Sequence, residues 1–274
     1  NAAFVANITT AHFGEMNVQH GKVKISPVVG SEAKHGVLSI AIRGALANAV
    51  DYAKKSGVTQ LVDVDVSGLV ASGEAEMILE AKFPLGKKIN ALTAIERLDA
   101  TISNGSFSNV PGGVSVDDAE LVIAFGNERS DVSGTASIMG APYEFSLQFD
   151  RDKDLISAVA LASPSSELAA ILAKKFDLRI DGRLGGKLVY SGDLAKDRAE
   201  LQFAAPLSGV SLDVPSLNWA KLPAEAGQVS MVIDIRGGEL AAINNIDIVA
   251  GSLVAQGQIA FDSSGAVQAG FFER

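Results

Sequence analysis

Apolar and polar residues alternate with a period of two over most of this chain. That period marks strands with one side in an apolar setting and the other in water, because successive strand side chains point to opposite faces. From Gly73 to Phe83, the residues Ala75, Met77, Leu79, Ala81 and Phe83 share one face; Glu74, Glu76, Glu80 and Lys82 share the other, with Ile78 the exception. Leu121, Ile123 and Phe125 fall together, and Tyr143, Phe145, Leu147 and Phe149 oppose Glu144, Ser146, Gln148 and Asp150. The same pattern groups Leu184, Leu188 and Tyr190, then Leu201 with Phe203, then Val229, Met231, Ile233 and Ile235. It closes with Ile246, Ile248 and Ala250, and with Leu253, Ala255, Ile259 and Phe261.

Two segments switch to helical spacing. Over 44–56, Leu46, Ala49, Val50 and Ala53 line one side, Lys54 and Lys55 occupy the last turn, and Gly57 is the stop. Over 165–176, Pro164 and two serines give start signals, Leu168, Ile171 and Leu172 follow, and basic residues again end the run. Both helices end in Ala-Lys-Lys, and these endings stand 120 residues apart. Each is followed by a Gly-punctuated strand (Ser67 to Phe83; Asp181 to Ser191), a further strand, and a small-polar loop (Ser103 to Pro111; Ala205 to Pro215). The layout predicts one continuous β segment over 1–274, made of two related sub-units at about 36–154 and 155–274 after a strand module at 1–35. Alternation alone fits a closed sandwich or barrel core. The scarcity of helix and the repeat also allow a long, curved, open and largely antiparallel sheet with two short flanking helices.

Charge and residue usage exclude several functions. The formal net charge is −9, and no basic face is visible for nucleic acid or for an anionic membrane surface. Cysteine is absent, which removes disulfide frameworks and zinc-thiolate sites. No run reaches the roughly 18–20 apolar residues that span a bilayer. Asn1 opens straight into strand-like sequence and Gly270-Phe-Phe-Glu-Arg274 stops within an apolar pattern, so the chain reads as a piece of a longer protein.

Catalytic patterns are equally scarce. His12, His20 and His35 form no ligand spacing, and His12 and His20 would bracket a metal only if their strands paired. Gly182-Arg-Leu-Gly185-Gly186 follows a helix and enters a strand, the wrong order for a dinucleotide turn. Asp63 with Asp65, Asp117 with Asp118, and Asp150 with Asp152 and Asp154 are neighbouring carboxylates without a convergent partner set. Asp150-Arg-Asp-Lys-Asp154 lacks the Gly and terminal Glu of a calcium loop and suits a solvated hairpin turn. The expectation is a chain that is not an enzyme and uses no metal or cofactor.

Several stretches, in order, carry a family resemblance: Phe13-Gly-Glu-Met-Asn-Val-Gln-His-Gly-Lys-Val-Lys-Ile25, Ile42-Arg-Gly-Ala-Leu-Ala-Asn-Ala49 and Leu98-Asp-Ala-Thr-Ile-Ser-Asn-Gly-Ser-Phe-Ser-Asn-Val110. Val210-Ser-Leu-Asp-Val-Pro-Ser-Leu-Asn-Trp-Ala-Lys-Leu-Pro223, with its Leu-x-Trp-x-Lys core, is the most specific; Gly237-Gly-Glu-Leu-Ala-Ala-Ile-Asn-Asn-Ile246 and Ala255-Gln-Gly-Gln-Ile259 follow. Together they resemble the central region of the AsmA-like envelope proteins of Gram-negative bacteria, in particular the YhdP-type members. The resemblance implies a long β-groove with an apolar concave face, in the periplasm, within a protein anchored in the inner membrane. It further implies phospholipid acyl chains as the bound partner, and other envelope proteins at the ends of the full-length protein. The lining so implied is Met77, Leu79, Phe83, Ile123, Phe125, Phe145, Leu147, Phe149, Leu188, Tyr190, Phe203, Met231, Ile233, Leu253, Ile259 and Phe261. The competing expectation is a closed β-sandwich module supporting outer-membrane assembly, in which the same side chains would be packed core.

Overall fold

The alternating runs fold as strands and the two helical runs as short helices, so the chain is mainly β. The computed structural model describes residues 4–13, 15–27, 34–56, 67–85, 94–110, 114–176, 178–215, 218–262 and 264–273. It packs as two compact units, Asn1–Ile138 and Met139–Arg274. The hairpin of 141–165 that precedes the second helix packs with the second unit.

The first unit holds β1 (Phe4–Ile8), β2 (Ala11–Phe13), β3 (Met16–Pro27), β4 (Lys34–Ala45), α1 (Leu46–Ser56), β5 (Val70–Pro84), β6 (Ile95–Val110), β7 (Val114–Gly126) and β8 (Arg129–Ile138). Its ladder order is β1-β3-β4-β5-β6-β7-β8, with β2 beside β3. The second unit holds β9 (Ala141–Asp150), β10 (Leu155–Ser165), α2 (Ser166–Phe176), β11 (Arg179–Asp181), β12 (Leu184–Asp193), β13 (Arg198–Pro206), β14 (Ser211–Val214), β15 (Trp219–Lys221), β16 (Gly227–Arg236), β17 (Glu239–Ala250), β18 (Leu253–Phe261) and β19 (Val267–Glu273). Its main order is β9-β10-β12-β13-β16-β17-β18-β19, and β11-β14-β15 form a separate small sheet. Sixteen strands thus lie in long antiparallel ladders, eight in each unit. In neither unit does the order return to its first strand, so the ladders do not close into a barrel.

Helix α1 begins two residues later than the spacing suggests, because Gly44 and Ala45 stay in β4, opposite Ala75 and Glu74. Helix α2 starts after Ser165, whose Oγ accepts a hydrogen bond from the Leu168 N–H at 3.1 Å. Glu167 sits in its first turn, favourably placed for the helix dipole. Gly57 and the pair Asp63 and Asp65 lie outside the described residues.

One expectation is corrected outright. Ser103 to Val110 is not a loop but the second half of β6, a strand of 16 residues spanning about 50 Å at about 3.3 Å per residue. Asn104 and Asn109 take positive φ there, and the register against β7 shifts on both sides of Gly105. The Asn-Gly signal that marks a turn elsewhere serves here to make bulges.

Such shifts demand particular backbones. Gly134 in β8 holds φ at +152°, and a Cβ there would come within 2.0 Å of the Glu120 carbonyl oxygen in the neighbouring strand. Gly134→Ala is therefore expected to destabilise the first unit by about 1–3 kcal/mol, the usual cost of such strain. Urea unfolding followed by intrinsic fluorescence or circular dichroism measures it; an unchanged midpoint would contradict this account of the β7–β8 pairing.

Candidate functional site

Residues directly opposite in an antiparallel ladder share a face, so the register shows which apolar runs merge. In the second unit one row crosses eight strands: Leu147, Ala158, Tyr190, Leu201, Ile233, Ile243, Ile259 and Gly270, each paired with the next. A neighbouring row runs Phe145, Ala160, Leu188, Phe203 and Met231. Another runs Phe149, Ile156, Gly192, Ala199 and Ile235. Leu253 lies opposite Ala250, two pairs along from Ile248 with Ala255. Phe261 continues the face of β18 past Ile259.

The first unit repeats the design. Ile8, Gly21, Ile40, Leu79, Leu98 and Phe125 form one row, and Ala11, Val18, Ile42, Met77, Ala100, Ile123 and Val132 the next. Phe83 lies opposite Gly36, further along β5.

Bulges hold these rows together. Ile243 and Ile246 differ in parity and should face opposite ways, yet the register slips between them and Asn245 adopts φ +49°. The extra residue returns both isoleucines to one side. Ile102 and Gly105 of β6 are reconciled in the same way against Leu121 and Ala119.

Each unit seals this face only in part. In the first, Met16, Val18, Ile40 and Ile42 are buried, with Ala49 of α1 packed against them. In the second, Ala169 of α2 joins Leu184, Ala205, Leu207, Val210 and Ala250 in a sealed cluster, and Ile180, Leu212 and Trp219 of the small sheet pack on it. Trp219 and Lys221 of the Leu-x-Trp-x-Lys motif help build this cap; the motif's leucine lies outside the described residues. Lys221 is only 1% exposed, and its ammonium donates to the Val210 carbonyl at 2.9 Å and the Leu222 carbonyl at 3.1 Å. The stem adds apolar packing while the charge finds carbonyl partners. Beside it, the buried Trp219 Nε1 has no acceptor among the described residues.

The rest of the face is mixed: Ala100, Ile102, Ala119, Leu121 and Ile246 are buried, Met77 and Leu79 pack against the first cluster and Phe203 against the second, and the larger side chains between stay half-buried. All sixteen residues expected to line a groove fall in that intermediate state, none sealed and none fully exposed. A second layer laid over them would give the 0% exposure of Val210. Tyr143, on the same face opposite Ala162, has its hydroxyl pKa raised by burial.

The reverse face of the first unit carries ion pairs, interrupted by exposed apolar residues such as Ile78 and Val122. Arg43 reaches Glu74 at 2.7 Å and Glu76 at 3.2 Å, Arg97 pairs with Asp99, and Arg129 with Asp131. A cleft of about 500 Å³ lies on that side of the first unit, lined by Asn17, Gln19, Arg43, Gly44, Ala45, Gly73 and Glu74, but Arg43 is already committed to its carboxylates.

Other expected features are simply placed. Strands β2 and β3 do pair, but His12 lies opposite Asn17, away from His20. Among the described residues no group of three or more metal-type ligands gathers. Asp150 accepts from the Lys153 ammonium at 2.6 Å, which holds its carboxyl below the usual range, as in a solvated turn. Among the described residues no helix is long and apolar enough to cross a membrane.

Sequence reasoning missed Ile40 and Ile42 of β4, and Ile156, Ala158 and Ala160 of β10. In β10, Val159 and Leu161 make the reverse side apolar as well, which erases the alternation; only the pairing with β9 and β12 reveals the face.

No family model matches this chain, and neither a curated protein nor a solved structure does.

The contrast between open row and sealed cap is measurable. Ile233→Ser, in the open row, is expected to cost about 1–1.5 kcal/mol, whereas Val210→Ser in the cap should cost about 3 kcal/mol through lost burial and an unpaired hydroxyl. Equal losses in urea unfolding would mean that the row is as sealed as the cap.

Proposed function

We propose that the half-open apolar face carries the acyl chains of phospholipid. On this reading the chain is a segment of an AsmA-like, YhdP-type protein that bridges the periplasm of a Gram-negative bacterium from an inner-membrane anchor. Its rows form the floor of a curved groove, along which lipid passes between the inner and outer membranes. Other envelope proteins meet the ends of the full-length protein, and no bond is made or broken.

The observation that carries this reading is the run of apolar rows across eight strands of the second unit and seven of the first, in which the larger side chains from Met77 to Phe125 and from Phe145 to Ile259 stay half-buried while Val18, Ile40, Ile42 and Ala100 are sealed. An acyl chain in water costs about 0.8 kcal/mol per exposed CH₂. A continuous row of Leu, Ile, Ala and Phe side chains offers successive methylenes equivalent contacts, so a chain gains on lying down and meets no deep well along its path. The ion pairs on the reverse face of the first unit keep that side of the sheet in water. The sequence resemblance points to the same reading.

Photo-crosslinking tests it. A benzophenone amino acid at Leu147 or Met231 in the full-length protein should capture phospholipid in living cells, and the same group at Gln148 or Gln202 on the reverse face should not. Failure at both inner positions, or equal capture on the two faces, would sink the proposal.

A further inference from the structure

Several glycines sit in the apolar rows, and their missing side chains are replaced by a neighbour. At Gly36 a Cβ would meet the Phe83 ring, with Cε2 at 2.4 Å and Cζ at 2.5 Å, and Phe83 is the residue directly opposite. The ring therefore lies across the backbone of the next strand. At Gly257, paired with Phe272 across β18 and β19, the ring Cδ1 stands 2.6 Å from the Cβ position, but the Phe271 backbone oxygen is nearer still. Tyr190 leans along its own strand onto Gly192, its hydroxyl 2.8 Å from the Cβ position.

Backbone conformation does not explain these glycines. None of the three has φ in the left-handed range, so an L side chain is allowed at each on that ground. At Gly36 and Gly192 the nearest atoms in the way all belong to the ring. Aromatic cover of a strand glycine is a known source of sheet stability. Here it also has a geometric result: Phe83 and Tyr190 lie down over a glycine instead of standing off the sheet.

We infer that Gly36 and Gly192 are positioning residues that set the height of the apolar floor, acting through Phe83 and Tyr190. The inference rests on the acyl-chain reading above and names the form of ligand it implies: an unbranched chain stretched across consecutive strands. Such a chain needs contact with every strand it crosses. A flat ring supplies a contact face, whereas an upright ring is a post that lifts the chain from the strands on either side.

The test uses the purified chain with a diazirine-bearing straight-chain fatty acid and maps the adducts by mass spectrometry. The wild type should be labelled on both units. Gly36→Val, which places a branched side chain where the ring lies, should lower adducts around Leu79 about tenfold, equivalent to about 1.4 kcal/mol of lost contact, and leave those around Ile233 unchanged. Gly36→Val combined with Phe83→Ala should regain the label, because the post is gone. A purely stabilising role would shift the melting temperature without this reversal. Gly192→Ala provides the mirror case: it should lose label around Ile233 and keep it around Leu79, and it decides the matter if Gly36→Val does not fold. No labelling of the wild type would overturn the acyl-chain reading itself. Labelled wild type with unchanged glycine variants, or a double variant that stays unlabelled, would overturn only the inference about the floor.

Discussion

Register is the constraint on which everything else in this protein depends. Side chains alternate with a period of two, so a slip of one residue between neighbouring strands would send a whole apolar run to the opposite side. The ladders avoid that outcome over unusual lengths, and they do so with bulges in place of perfect pairing. Asn245 absorbs the odd residue between Ile243 and Ile246, and Asn104 lies within the shift between Ile102 and Gly105. Asparagine suits this task because its short polar side chain tolerates the left-handed backbone that a bulge requires. The rows are therefore maintained by local irregularity at a few chosen positions.

A face held half-open contributes less to folding than a sealed core, and the caps offset this. Around Val210 and around Met16 the exposure falls to 1% or less, so burial there has nearly its full effect. Both caps combine a helix with the neighbouring strands, and both follow directly from a strand end: α1 leaves β4 and α2 leaves β10 without a linker. Lys221 ties the second cap through the buried Val210 carbonyl and the neighbouring Leu222 carbonyl. Small residues such as Ala75, Ala100 and Ala119 are sealed within the strands as well, while larger apolar side chains such as Ile123, Leu147 and Ile233 stay half-buried.

Much of this was legible in the chain. Where one side of a strand is polar, as in β5 with Glu74, Glu76 and Glu80 or β9 with Glu144, Ser146 and Gln148, alternation gives the face directly. The helices were equally readable from spacing and from Ser165 as a cap. The Ser103 to Val110 strand was not, because Asn-Gly and Ser-rich sequence is shared by turns and bulges and only pairing distinguishes them. The small sheet of β11, β14 and β15 escaped for a different reason: strands of three or four residues are too short to show a period. Sequence also could not separate an open face from a closed sandwich. Both require the same alternation, and the difference lies in what stands opposite, which is a property of the folded chain.

A broad apolar face that stays half-exposed is a liability in water unless something covers it. The chemistry of the cover can be argued from the rows themselves. A protein partner gains its specificity from aromatic or charged anchors seated in pockets and from polar groups that fix its register. The row from Leu147 to Gly270 has little of that kind: it repeats aliphatic residues with one tyrosine, and the polar groups stand on the opposite side of the sheet. Repetition without anchors gives weak discrimination along the row and similar contact at each step. A hydrocarbon chain asks for nothing more, since it has no polar group to satisfy below its head and no preferred register. On the proposed reading, the same uniformity that would make a poor docking site for a protein suits an acyl chain.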